Sequence, residues 1–242
     1  MKIIFMGTSE FSAVVLKKLH AVYPVCAVYT GCDKAAGRGQ KAAASPIKEL
    51  AFALNIPLYQ CDNVCCEGLA RIKSLEPDII VTASFGQILS EELLNIPKLC
   101  VLNVHASLLP KYRGASPIQY ALMNGDAKTG VTIMRTVRKL DAGDMLLKLQ
   151  TDIFPDDTAG TLSARLAELG GEAIIRAIQR IEIGNAVFVP QSENYATFAP
   201  MIKKTDAKIN FEKQDFEIYN FVRAMNPKPA AYVPSVNLEL AS

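Results

Sequence analysis

The chain has 242 residues, half of them hydrophobic, with a net charge of +2 and a pI near 8.1. This is enough for one large domain or one domain with an appendage, and so small a charge does not by itself indicate nucleic-acid binding. No apolar run approaches the ~20 residues of a membrane span. The first apolar run is short and meets Gly7 and Thr8 at once, so we expect a strand rather than a secretion signal, and a cytoplasmic protein.

The first hundred residues alternate between apolar runs and segments with helical periodicity. Strands are predicted at 2–7, 25–30, 56–60, 78–84 and near 100, and helices at 9–23, 45–55, 66–77 and 90–98. Ser45 and Pro46 supply a capping residue and a proline at the first helical position. Because the strands are apolar without alternation, we predict an α/β fold with a Rossmann-like, doubly wound, mostly parallel sheet and helices on both faces.

The second half adds a few elements and then changes character. A helix is predicted at 116–125, strands at 129–137 and 145–153, and a long helix at 157–184, which we expect to break at Gly170 and Gly171. From about residue 190 the sequence is polar and loop-rich, with one more helix at 215–226 and a proline-rich tail.

The six cysteines do not indicate a metal site. Cys26 and Cys100 lie in strand-like runs and are expected to be small core residues. Cys61, Cys65 and Cys66 cluster, but they form no Cys-x-x-Cys pair, and no histidine lies near them. We therefore predict that the protein needs no metal.

Polar residues at strand ends are the main functional signal, because ligands of open α/β sheets bind beyond the carboxyl ends of the strands. Asn103 and His105 end the strand near residue 100 on one face, and Asp141 lies in the turn after the strand at 129–137. His105 alone would as readily be a structural histidine, but Asn103 and the acid-glycine turn favour function. We interpret His20 as structural.

An amide, an imidazole and a carboxylate can together catalyse acyl transfer without a covalent enzyme intermediate. Asn103 can donate a hydrogen bond to a developing oxyanion, and His105 can stabilise that charge or move a proton. Asp141 can orient His105 or relay the proton of an attacking amine. Because the sequence has no Gly-x-Ser-x-Gly motif, direct attack by an amine on a bound acyl donor fits best.

Residues 102–147 resemble the signature region of the folate-dependent formyltransferases, with its Asn-x-His, Ser-Leu-Leu-Pro and Leu-Asp-x-Gly-Asp motifs. The resemblance implies that Asn103, His105 and Asp141 are catalytic. It also implies that 10-formyltetrahydrofolate is the formyl donor. The loop that contacts the folate would consist of Ser107, Leu108, Leu109 and Pro110.

Within that family the chain is most similar to the enzymes that act on methionyl initiator tRNA, in segments 1–19, 32–51 and 196–211. In those enzymes the loop matching 32–51 reaches the acceptor end of the tRNA. Lys34, Arg38 and Lys41 suit phosphate contacts there, Arg38 first, although without the resemblance a solvated surface loop would be the better interpretation.

The resemblance also implies a domain division. We expect a catalytic domain at 1–189, a linker at 190–208, and at 209–242 the start of a truncated C-terminal tRNA-binding β-barrel, in a chain that acts as a monomer. Family members continue further, so we expect weaker tRNA affinity rather than a lost formyl-transfer site.

Two alternatives stay open at this point. The acceptor could be an amino sugar on a nucleotide, since the same three residues would serve it. The chain could also be a folate- or tRNA-binding remnant without turnover. Segments 32–51 and 196–211 favour the tRNA, and the intact Asn103, His105 and Asp141 argue against lost chemistry.

Overall fold

The structure, a computed structural model, describes residues 1–36 and 41–233, leaving out the side chains of 34–36 and 41–43. The strands are β1 (Ile3–Gly7), β2 (Val25–Thr30), β3 (Lys34–Ala36), β4 (Lys41–Ala43), β5 (Leu58–Gln60), β6 (Ile79–Ala83), β7 (Cys100–His105), β8 (Lys128–Arg135) and β9 (Met145–Asp152). The α-helices are α1 (Glu10–Val22), α2 (Pro46–Ala53), α3 (Val64–Glu67), α4 (Leu69–Leu75), α5 (Glu91–Leu94), α6 (Pro117–Met123), α7 (Ala159–Glu182) and α8 (Asp215–Ala224).

The main sheet formed by the described residues has seven strands, in the order β5-β2-β1-β6-β7-β8-β9. The strands from β5 to β7 are parallel to one another, whereas β8 and β9 continue the sheet antiparallel. A separate two-stranded antiparallel sheet consists of β3 and β4. The predicted mostly parallel α/β sheet is therefore confirmed.

Helices cover both faces of this sheet, as the doubly wound prediction requires. On one face α1 packs against α2 and α7, over a core that includes Phe5 and Leu102. On the other face Ile4 and Val101 pack in a second core with Leu93 of α5. Successive strand residues point to opposite faces, so Asn103 and His105 share the face of Val101.

Local signals set where some helices begin and end. The Ser45 hydroxyl accepts a hydrogen bond from the backbone N–H of Lys48 at 3.3 Å, and Pro46 begins α2, as predicted. The helix predicted at 90–98 has only four residues, Glu91–Leu94. Pro97 disfavours helical backbone at the residue before it and offers no N–H, which explains the early end.

The predicted break at Gly170 and Gly171 is wrong, since α7 continues through both residues. A Cβ on Gly170 would lie 2.9 Å from Cγ1 of Val104, and one on Gly171 would lie 2.8 Å from Cβ of Lys18. The two glycines thus let α7 approach β7 and α1 closely. Tertiary packing outweighs their low helix propensity of about 1 kcal/mol each.

The C-terminal residues 209–233 contain a helix, α8, rather than the strands of a barrel. Helix α8 packs against α6, and Lys208 pairs with Tyr232 as an isolated bridge. No strand of a barrel lies within residues 209–233, and 234–242 are outside the description. The domain boundaries at 189 and 208 stay predictions. No helix of the described chain is long and apolar enough to cross a bilayer.

Candidate active site

Three polar side chains from distant parts of the sequence meet on one face of β7. Nδ2 of Asn103 lies 3.5 Å from Oδ1 of Asp141, and Nδ1 of His105 lies 3.7 Å from the same oxygen. His105 is 5% exposed, and the Asp141 side chain is 12% exposed. The structure thus brings together the three residues that the sequence predicted to form the site. Their catalytic role stays a prediction.

Thr82 on the neighbouring strand orients the amide of Asn103. The two residues are paired in register, and the Thr82 hydroxyl donates to Oδ1 of Asn103 at 2.9 Å. This leaves Nδ2 facing Asp141. The amide nitrogen has two hydrogens, and among the described residues only Asp141 accepts from it. One N–H is therefore available for an oxygen of a ligand.

A backbone carbonyl fixes the tautomer of His105. Nε2 lies 2.9 Å from the carbonyl oxygen of Tyr112, which can only accept a hydrogen bond, so Nε2 carries a hydrogen. In the neutral ring Nδ1 is then unprotonated and faces Asp141. A proton taken up at Nδ1 would be stabilised by the adjacent carboxylate, so the pair can act as a base.

Backbone contacts hold the carboxylate of Asp141 in place. The backbone N–H of Gly114 donates to Oδ2 at 2.8 Å. Gly114 has φ +121, and a Cβ there would lie 2.6 Å from the carbonyl oxygen of Ala199, so only glycine fits. Asp141 itself has φ 46, in the left-handed region that few residues other than glycine adopt.

Asp141 arrives by a route that the strand-end argument did not foresee. Because β8 is antiparallel to β7, Arg135 at its end lies opposite Leu102, away from the carboxyl end of β7. The segment after β8 returns to the site, so that Asp141 contacts Asn103 and His105 on a face of the sheet. The expectation of proximity holds, but the strand-end reason given for it is wrong.

The loop of residues 107–110 is held by Thr132, the residue opposite His105 on β8. The Thr132 hydroxyl donates to the carbonyl of Ser107 at 2.7 Å and accepts from the N–H of Leu109 at 3.1 Å. Ser107 and Leu109 are fully buried, whereas Leu108 and Pro110 are partly exposed. Folate contact by this loop stays a prediction. The partly exposed Leu108 and Pro110 are better placed for it than the buried Ser107 and Leu109.

A groove of about 430 Å³, which the sequence did not predict, lies towards the amino end of β7, and none of the three polar residues lines it. Its lining residues come from α5, the segment between α5 and β7, the start of β7, and the end of β8 with the three residues after it: Glu91, Leu94, Asn95, Pro97, Leu99, Cys100, Val101, Arg135, Thr136, Val137 and Arg138. Val101 shares the strand face of Asn103. The buried hydroxyl of Thr136 has no hydrogen-bond partner among the described residues, which suits a groove completed by a polar ligand.

Arg113 is a second feature that the sequence analysis missed. Its side chain is fully buried, and the guanidinium donates to Oε1 of Gln191 at 3.0 Å and to both carboxylate oxygens of Glu193. Hydrogen bonds from Arg113, and then from Lys139, lower the pKa of Glu193 from 4.5 to about 2. Buried charges need such partners, so a fully buried arginine marks a structured network.

The three residues predicted to contact tRNA, Lys34, Arg38 and Lys41, lie in or beside the gap at residues 37–40. Lys34 and Lys41 belong to β3 and β4, whose side chains are not described, and Arg38 lies outside the described residues. Across the described ranges, no group of three or more His, Cys, Asp or Glu residues could hold a metal ion.

Comparisons with known proteins show the family to which the chain belongs. The family model "Formyl transferase" matches residues 1–178, and "Formyl transferase, C-terminal domain" matches residues 201–240. A methionyl-tRNA formyltransferase of Marinobacter nauticus is 45% identical over 96% of this chain and 75% of its own length. One from Clostridioides difficile is also 45% identical, over 96% of this chain and 76% of its own.

The fold recurs in solved structures. An N-formyltransferase from Helicobacter canadensis, solved with folinic acid and dTDP-3-aminofucose, matches with a TM-score of 0.74. The match covers 98% of this chain and 84% of that one at 24% identity, so it supports the fold alone. Together with the family model that matches residues 1–178, the likeness to these relatives shows that the chain belongs to the formyl transferase family.

Proposed function

We propose that the protein transfers a formyl group from 10-formyltetrahydrofolate to the amino group of methionyl initiator tRNA, giving N-formylmethionyl-tRNA for the initiation of translation. The observation that carries the proposal is the meeting of Asn103, His105 and Asp141 on one face of β7. The choice of acceptor is supported by the relatives, which are named methionyl-tRNA formyltransferases at 42–46% identity.

The groove suits the donor. When bound, 10-formyltetrahydrofolate supplies a formyl carbon that is already activated for attack by an amine. The groove has apolar walls at Leu94, Val101 and Val137, and the buried hydroxyl of Thr136 beside it has no hydrogen-bond partner among the described residues. A flat heteroaromatic group seated there would lie next to Val101, two residues before Asn103 on the same face of β7.

Asn103 and His105 divide the chemistry. The free N–H of Asn103 donates to the formyl oxygen as negative charge develops on it, an electrostatic role that Thr82 prepares by fixing the amide. His105 takes at Nδ1 the proton that the attacking amine loses, and Asp141 stabilises the resulting imidazolium. The new carbon–nitrogen bond forms as the bond to the folate nitrogen breaks, and the proton returns to that nitrogen.

The test is an acceptor comparison with the whole chain. Labelled 10-formyltetrahydrofolate is mixed with methionyl initiator tRNA, with methionyl elongator tRNA, or with a dTDP-linked amino sugar. Formylation of the initiator tRNA in preference to the other two supports the proposal. Formylation of the sugar alone replaces it with the sugar reaction, and donor binding without any transfer marks a binding remnant.

A further inference from the structure

A glutamine that no sequence motif singled out links the buried Arg113 to the loop of Asp141. Nε2 of Gln191 donates to the carbonyl oxygens of Asp141 and Gly143, each at 2.8 Å. Its Oε1 accepts from Nε of Arg113 at 3.0 Å. Both amide hydrogens and the amide oxygen are therefore engaged, which fixes the orientation of the Gln191 side chain.

This glutamine braces the loop where its backbone needs support. Asp141 has φ 46, a left-handed conformation that is uncommon outside glycine, although aspartate adopts it more readily than most residues. The backbone N–H of Gly114 donates to Oδ2 of the Asp141 side chain. The Gln191 amide donates to the main-chain carbonyls of Asp141 and Gly143, which flank residue 142. The carboxylate is thus fixed from two directions.

Arg113 and Glu193 anchor the brace in turn. Arg113 is fully buried and reaches Glu193 at 3.0 Å, and Lys139, from the loop of Asp141, reaches Glu193 at 2.9 Å. The Arg113 main chain also pairs with Thr197 and Ala199. The segment predicted as a linker therefore packs against the site at several points.

We infer that Gln191 is a positioning residue, which sets the place of the Asp141 carboxylate beside His105 and Asn103 without touching substrate. The inference rests on the proposed function for its kinetic consequence, but its structural consequence can be measured independently. Replacing the amide by an apolar chain of equal length releases the Asp141 and Gly143 carbonyls and also the Nε–H of Arg113, while keeping the volume.

The kinetic test uses Gln191→Met, with Gln179→Met as the matched control on the exposed side of α7. We expect kcat to fall about ten- to hundredfold, as for other small misplacements of a catalytic group. The KM values for donor and tRNA should change less than about twofold, and the control should match the parent. A parental kcat for Gln191→Met would overturn the inference.

The second readout needs no activity. The chain has two histidines, His105 and His20, so their ring Cε1–H signals are easily assigned by NMR. Gln191→Met should shift the His105 signal, because Asp141 moves, and leave the His20 signal in place. If neither signal moves, the positioning role is wrong. If only the kinetic assay is silent because the parent itself transfers no formyl group, the proposed function fails and the positioning role stands on the NMR result.

Gln191→Glu replaces Gln191→Met if the latter does not fold. This variant keeps the acceptor for Arg113 but places an acceptor against the carbonyls of Asp141 and Gly143, so the same loss of kcat and the same shift at His105 are expected. Parental values of both would again overturn the inference.

Discussion

Nδ2 of Asn103 lies 3.5 Å from Oδ1 of Asp141 across 38 positions of sequence, and this contact joins a central strand to a turn beyond the next strand. The amide end of Asn103 is oriented by Thr82 and the carboxylate by Gly114. Both partners are thus held by neighbours before any substrate binds. Such preorganisation is what electrostatic stabilisation of a developing oxyanion requires.

His105→Ala should lower kcat by about two to four powers of ten with the fold intact, because the proton of the attacking amine loses its acceptor. His20→Gln is the matched control, since the other histidine contacts the backbone N–H of Val25 in a helix-to-strand turn. Steady-state formyl transfer and thermal unfolding are measured for both. A His105→Ala enzyme with near-parental kcat would remove His105 from the mechanism.

Thr136→Val should change the KM for the donor without lowering the Tm of the protein. The Thr136 hydroxyl is buried and has no hydrogen-bond partner in the part of the chain that the structure describes, so its replacement should leave Tm unchanged or slightly higher. If the hydroxyl bonds the donor, the KM for 10-formyltetrahydrofolate rises about two- to tenfold, the equivalent of one lost hydrogen bond. The KM for tRNA should not change. An unchanged donor KM would place the folate outside this groove.

Arg38→Ala should raise the KM for methionyl initiator tRNA and leave donor binding unchanged, because the sequence predicts that this arginine contacts a phosphate of the tRNA. The tRNA KM of the parent should also rise more steeply with salt than that of the variant, since one fewer phosphate contact remains. Arg176→Ala, an exposed arginine on α7, is the control. Equal tRNA KM values for Arg38→Ala and the parent would make the loop a bystander.

Glu193 should make stability depend on pH in the acid range. Arg113 and Lys139 hold its pKa at about 2, whereas in the unfolded chain the carboxyl titrates near 4.5. A lowered folded-state pKa adds stability above pH 4.5 that is lost as pH falls towards 2. The Tm of Glu193→Gln should therefore lie below that of the parent at pH 7, with the gap closing between pH 4.5 and 2. A gap that is constant over this range would contradict the assignment.

Short-range sequence patterns were sufficient to predict the parallel strands of the sheet and the strand face on which Asn103 and His105 lie. Unalternated apolar runs predicted the parallel strands, and a spacing of two placed Asn103 and His105 on one face. The start of α2 at Ser45 and Pro46 also follows from local chemistry alone.

Contacts between distant segments account for what was missed. Gly170 and Gly171 look like helix breakers until β7 and α1 are seen against α7. The groove and the network of Arg113 with Gln191 depend on the return of the segment after β8, which no local pattern encodes. Arg113 adjoins the recognised Ser-Leu-Leu-Pro loop, and that proximity was the one available signal.

The most direct test of the central claim is formyl transfer from labelled 10-formyltetrahydrofolate to methionyl initiator tRNA by the parent chain and by Asn103→Ala in parallel. Labelled N-formylmethionyl-tRNA is expected with the parent, and with the variant a rate lower by about two to three powers of ten at similar Tm. No transfer by the parent, or equal rates for the two proteins, would contradict that claim.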